Sequence, residues 1–167
     1  MIPPTPVEVR SFLMQKGKVR KGKRDLAFIP IEDWSSPLRG QIYIEGSMEL
    51  TIGGKPLLTR DMWDDIDFMW GLLVNTLEEL AAQGSSTLRL SGMRLVLKRV
   101  RQDTLSVAVE TPIRGGRTAA GVEERNFYAH MISAGEHFFR RLEDLQADGG
   151  FQQDLRRLEA LRARVLN

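Results

Sequence analysis

The 167-residue chain contains no cysteine. That single absence excludes disulfides, thiol nucleophiles and cysteine-ligated metals together, and it fits a reducing, cytoplasmic setting. Histidine is almost as scarce, with only His130 and His137. No apolar run approaches the ~20 residues that a membrane helix needs. The first residues, Met1-Ile2-Pro3-Pro4-Thr5-Pro6, show no positive end followed by an apolar block. Neither a membrane span nor a secretory signal is therefore expected.

What is present describes an ordinary globular chain, 42% hydrophobic and 28% charged, long enough for one domain with a real core. Its net charge of +2 is unevenly distributed. The segment Lys16–Arg24 holds six basic residues and no acidic one; outside it, 18 basic residues face 22 acidic ones. The high pI thus comes from one segment and scattered arginines, with no uniformly basic surface.

The stretch Asp61–Ala82 carries the longest helical pattern. Trp63, Ile66, Trp70, Leu73, Leu77 and Leu80 recur at spacings of three and four, on one stripe. Asp61, Asp64, Asp65 and Asp67 crowd the predicted first turns, where a helix favours negative charge. Gly84 is placed as a left-handed C-terminal cap. Phe68 to Val74 is apolar nearly all round, which predicts cover on more than one face, with Gly71 allowing a close approach. Before this helix, Val7–Met14, Leu26–Ile31, Ile42–Ile44 and Met48–Ile52 read as strands, Gly53-Gly54 as a two-residue hairpin turn, and Lys55–Leu58 as its return. Pro30 belongs at a sheet edge. After Gly84, Leu88–Leu90, Met93–Val100 and Leu105–Thr111 read as strands, Pro112–Gly121 as a loop, and Val122–Leu145 and Phe151–Leu166 as helices. This order predicts a single α+β domain over residues 1–167, with an antiparallel sheet of hairpins packed against a long central helix and two C-terminal helices. Residues 16–24 are expected to form a flexible basic loop at the tip of a long hairpin.

No set of side chains spells out a reaction. His130 and His137 lie seven apart on one helix, roughly 10.5 Å along its axis, too far for one zinc ion with ligands at about 2 Å. Ser133 is four residues from His137, but a mid-helix serine lacks an orienting acid and an oxyanion site. The aspartates of Asp61–Asp67, with Asp61 and Asp65 one turn apart, would interest a hard cation, yet an acidic helix start explains them more simply. Glu78 and Glu79 read as a solvated face. Arg114-Gly115-Gly116-Arg117-Thr118 lacks the spacing and the lysine of a phosphate loop. No catalytic, cofactor-binding or metal-binding residues are assigned, and no cofactor is expected.

The surface feature that stands out is the basic segment. Lys16, Lys18, Arg20, Lys21, Lys23 and Arg24 would suit an acidic protein surface, a phosphate backbone, or simply solvent. Interleaved aromatics for base stacking are missing, and there is no helix there to lay in a groove.

The succession of Ile42 and Ile44, the hairpin around Ile52-Gly53-Gly54-Lys55-Pro56-Leu57, Trp63-Asp64-Asp65-Ile66 leading into a helix, and His137-Phe138-Phe139-Arg140-Arg141-Leu142 near a helix end resembles small uncharacterised bacterial proteins encoded beside polymorphic toxins and regarded as their immunity proteins. The resemblance spans about Gly40 to Leu145, rests on hydrophobic spacing and element order, and carries over no functional residue. It implies a cytoplasmic binder that occludes a toxin domain and performs no catalysis. The expectation is therefore a protein-binding module. The alternatives are a nucleic-acid accessory protein using residues 16–24 and, third, a carboxylate enzyme at Asp61–Asp67.

Overall fold

Alternating apolar residues and two-residue turns build the strands as hairpins. A computed structural model describes residues 2–113 and 115–167. The elements run β1 (Val7–Arg20), β2 (Lys23–Pro30), β3 (Glu45–Ile52), β4 (Lys55–Leu58), the two-residue β5 (Asp64–Asp65), α1 (Ile66–Gln83), β6 (Ser85–Leu90), β7 (Met93–Arg101), β8 (Thr104–Thr111), β9 (Gly116–Glu123), α2 (Glu124–Asp144) and α3 (Phe151–Val165). The class is α+β, and every strand pair is antiparallel. The hairpins divide into two sheets: one ordered β2-β1-β3-β4, with β5 beside β3, and one ordered β6-β7-β8-β9.

The centre of the core is α1. Ile66, Trp70, Leu73, Leu77 and Leu80 are all fully buried. The Trp70 ring stacks on Phe138 of α2 at 5.8 Å and meets Phe139 edge-on at 6.4 Å. Its indole N–H donates to Ser11 Oγ of β1 at 3.0 Å, which meets the polar need of an otherwise buried ring. Gly84, at φ +79°, closes α1 by donating its N–H to Leu80 O, and the chain enters β6 at once. The long connection from Ile31 to Ile44 buries Ile31, Leu38 and Ile44. It is pinned to α2 by Leu38 N–H donating to Leu145 O at 2.8 Å and by Arg141, which donates to the carbonyls of Ile31 and Trp34.

Several sequence expectations are corrected. The central helix starts at Ile66, five residues later than Asp61. Asp64 and Asp65 instead pair with Gly46 and Glu45 of β3, and Ile66 N–H donates to Ile44 O. A tertiary ladder has overridden the helical periodicity, leaving Trp63 outside the stripe and 44% exposed. Phe68 is also exposed, and nothing lies within 4 Å of a Cβ built on Gly71, so no element approaches there. The close approach is at Gly46, where such a Cβ would sit 2.1 Å from Phe12 O. The interruption in the strand pattern is thus the point where β3 lies tight on β1 beneath Ile66. Ile42 and Tyr43 are exposed and precede the strand, which begins at Glu45. The expected loop Pro112–Gly121 is largely β9, paired with β8 from Thr104↔Glu123 to Thr111↔Gly116. Its glycines and alanines hid the alternation, and α2 begins at Glu124 instead of Val122. Residues 16–24 do form the tip of a long hairpin, but as paired strands and not as a loop: β1 continues to Arg20 and β2 starts at Lys23.

The two sheets are also tied by a β4 side chain and by the N-terminal segment. Lys55 Nζ donates to Ala119 O at 2.8 Å, Asn126 donates to Thr5 O, and Thr5 N–H and its hydroxyl donate to the Glu123 carboxylate.

Two experiments test this account. Gly71→Ala, in open space within a helix, should raise stability by about 0.5–1 kcal/mol, whereas Gly46→Ala, forced against a backbone carbonyl, should lower it by several kcal/mol or prevent folding; urea unfolding reads both. Hydrogen bonds from its own N–H, and then from Thr5, hold the Glu123 carboxyl below its ordinary value of 4.5. A lowered carboxyl stabilises the fold above the unfolded-state value and loses that contribution as pH falls through the folded-state value. The stability difference between the parent and Glu123→Gln should therefore shrink between about pH 6 and about pH 3.

Candidate functional site

The basic segment becomes a two-stranded ribbon standing off the first sheet. β3 covers β1 only from Val7 to Leu13, while β2 pairs with β1 from Phe12 to Arg20. Beyond Met14, every residue from Gln15 to Ala27 is exposed. At about 3.3 Å per residue the arm reaches roughly 20 Å past the core. Lys21 and Gly22, at φ +51° and +76°, form its turn. Two positive φ values in a two-residue loop match the twist of the strands. A register shift between Lys16 and Val19 adds a bulge in β1, which bends and twists the arm.

All six candidate residues, Lys16, Lys18, Arg20, Lys21, Lys23 and Arg24, lie on this arm. Lys16 is paired with Glu45 at 2.9 Å, at the arm's base, and Arg20 approaches Asp25 at 3.9 Å. Among the described residues Lys18, Lys21, Lys23 and Arg24 have no carboxylate within 4.0 Å. The tip therefore presents uncompensated positive charge, together with the apolar side chains of Val19 and Leu26, which are 58% and 40% exposed.

The other sequence candidates are not assembled into chemistry. His130 Nδ1 lies 2.9 Å from Asn126 O, one turn back on its own helix, and His137 Nε2 lies 3.0 Å from Glu32 Oε1. The Ser133 hydroxyl accepts from Arg162 at 3.4 Å. Among the described residues no three histidine or carboxylate side chains converge as metal ligands. Asp61 and Asp65 do not share a helical face, because neither is in the helix. Asp65 and Asp67 titrate above the ordinary aspartate value of 3.8, chiefly because they are partly buried; for Asp65 the neighbouring carboxylates Asp64, Asp67 and Glu45 add to the shift. In the glycine–arginine stretch, Arg114 lies outside the described residues. Gly116, Arg117 and Thr118 are strand residues, far from the helix N-terminus that an anion cradle would require.

The arginines of α3 divide in two. Arg157 binds Glu78 and Asn75 on α1, and Arg162 binds Glu136 on α2, so these two clamp the helices together. Arg156 and Arg164 remain exposed. Sequence reasoning missed Glu136. It is buried on α2 between Arg140 and Arg162 and lines a polar groove of about 260 Å³ with His137 and Asp144. A carboxylate on the apolar side of α2, one turn before Arg140, was the available signal. A second cleft of about 310 Å³ lies under Trp63, between Met62, Leu90 and Met93.

Because the tip cations are exposed and lack ion pairs among the described residues, each of Lys18→Gln, Lys23→Gln and Arg24→Gln should change unfolding free energy by no more than about 0.5 kcal/mol; larger losses in urea titrations would assign the charge a structural role instead. Comparison with known proteins finds no matching family model, curated protein or solved structure.

Proposed function

We propose that this chain is a non-catalytic protein-binding module that presents the β1–β2 arm to an acidic surface of a partner. The observation that carries this reading is the charge of the arm. Four cations without an ion pair among the described residues are held on a tight ribbon, clear of the core. Charge placed this way does nothing evident for the fold, and it gives association speed and orientation when it meets a surface of opposite sign. The side chains best suited to chemistry are engaged within the fold: His130 with Asn126, His137 with Glu32 and Ser133 with Arg162. In its specific form, the module is a bacterial, cytoplasmic immunity-type inhibitor whose arm covers an acidic patch on a toxin domain. A second reading has one favourable observation. A two-stranded ribbon is narrow enough to enter the major groove of a duplex, and the arm would then bind phosphates.

The test uses the full chain beside a variant carrying Lys18→Glu, Lys21→Glu and Lys23→Glu, each as bait in native extract at low and moderate salt. The parent is expected to retain a discrete protein that the reversed variant loses, with less retained at the higher salt. Equal recovery by both baits would remove the arm from the function. Retention that nuclease treatment abolishes would favour the duplex reading.

A further inference from the structure

β2 lies at the free edge of its sheet. Its only ladder is with β1, and among the described residues none of its backbone groups bonds to any other element. The pairing fixes which groups point outward. In a two-residue hairpin the residues flanking the turn, Arg20 and Lys23, exchange both hydrogen bonds, and the pairs alternate from there. Lys23, Asp25, Ala27 and Ile29 therefore bond inward to β1, while Arg24, Leu26 and Phe28 aim N–H and C=O at solvent. Pro30 then falls on an outward position and offers only a carbonyl, so its missing N–H breaks no bond to β1. The two ends of the edge agree on this parity although a bulge separates them.

Charge and proline are common ways of blunting an edge. Here Pro30 stops the ladder at one end and the cations crowd the other, but the stretch between them keeps three outward donors. Leu26 is exposed and shares a face with the cross-strand Lys16 and with Arg24. An added strand would thus gain backbone pairing, one apolar contact and flanking positive charge.

We infer that the edge Arg24–Pro30 takes up an extended acidic segment of a protein partner as an additional β-strand. This rests on the reading of the arm as a protein-binding element and specifies how it binds. Backbone pairing supplies the register, and Lys23 and Arg24 select carboxylates on the incoming strand.

The probe is a labelled, capped peptide of alternating glutamate and valine, about eight residues long, titrated by anisotropy into the full chain. Leu26→Pro removes an outward N–H and leaves the inward ladder intact; Leu26→Thr keeps that N–H and changes only the side chain. Binding is expected to weaken by about tenfold in Leu26→Pro and to change by less than about threefold in Leu26→Thr. A peptide N-methylated at alternate residues, tested on the unaltered chain, should bind as poorly as Leu26→Pro, and this arm holds even if the proline variant does not fold. Parent-like affinity for the N-methylated peptide in both possible phasings overturns strand addition. If charge reversal alone abolishes binding in that case, the basic arm stands and only the backbone mode fails. If neither perturbation matters, both readings fail. Binding of a duplex oligonucleotide with no binding of the peptide, or self-association through this edge detected by light scattering, would also overturn the inference.

Discussion

The indole of Trp70 is where three elements of this fold meet. Its ring is stacked on Phe138 and meets Phe139 edge-on, both on α2, its N–H is held by Ser11 of β1, and its backbone belongs to α1. A large, nearly rigid side chain buried on all sides permits few arrangements of its neighbours. The bond to Ser11 removes the remaining freedom, since a buried N–H without an acceptor would be costly. Position along β1 and position along α1 are thereby coupled, and the arm beyond Met14 inherits its direction from this joint.

Other elements follow from that placement. With α1 fixed, Ile66 lies over Gly46, and β3 can approach β1 closely only because that position lacks a side chain. The arginine clamps from α3, to Glu78 on α1 and to Glu136 on α2, close the opposite side of the helix layer. Glu136 is the more consequential of these acids. It is buried, and the charges flanking it offset the loss of solvation that a lone carboxylate would suffer.

Much of this was legible in the residues, for identifiable reasons. The stripe from Ile66 to Leu80, the Gly84 cap and the Gly53-Gly54 turn depend on local chemistry, and each stands where periodicity or backbone conformation puts it. The start of α1 was not legible, because Asp61–Asp65 fits a helical N-terminus and a strand that happens to find β3; only the partner decides. β9 was hidden for a different reason. Gly116, Ala119, Ala120 and Gly121 present too little apolar surface to show alternation, and the strand exists because β8 supplies its ladder. The basic segment looked loop-like because glycine and charge dominate it, although two-residue turns also call for glycine. Composition therefore located the candidate surface, and pairing revealed its shape.

The length of β1 has a mechanical consequence. One unbroken run of backbone passes from the packed interior, at Phe12 and Leu13, into a limb washed by water on both sides. Such a limb is a cantilever with its root clamped in the protein. Pressure at the free end is carried by the covalent chain to the clamp, past the bulge between Lys16 and Val19. A visitor grasping the tip would thus be joined, through one covalent strand, to the residues that fill the core.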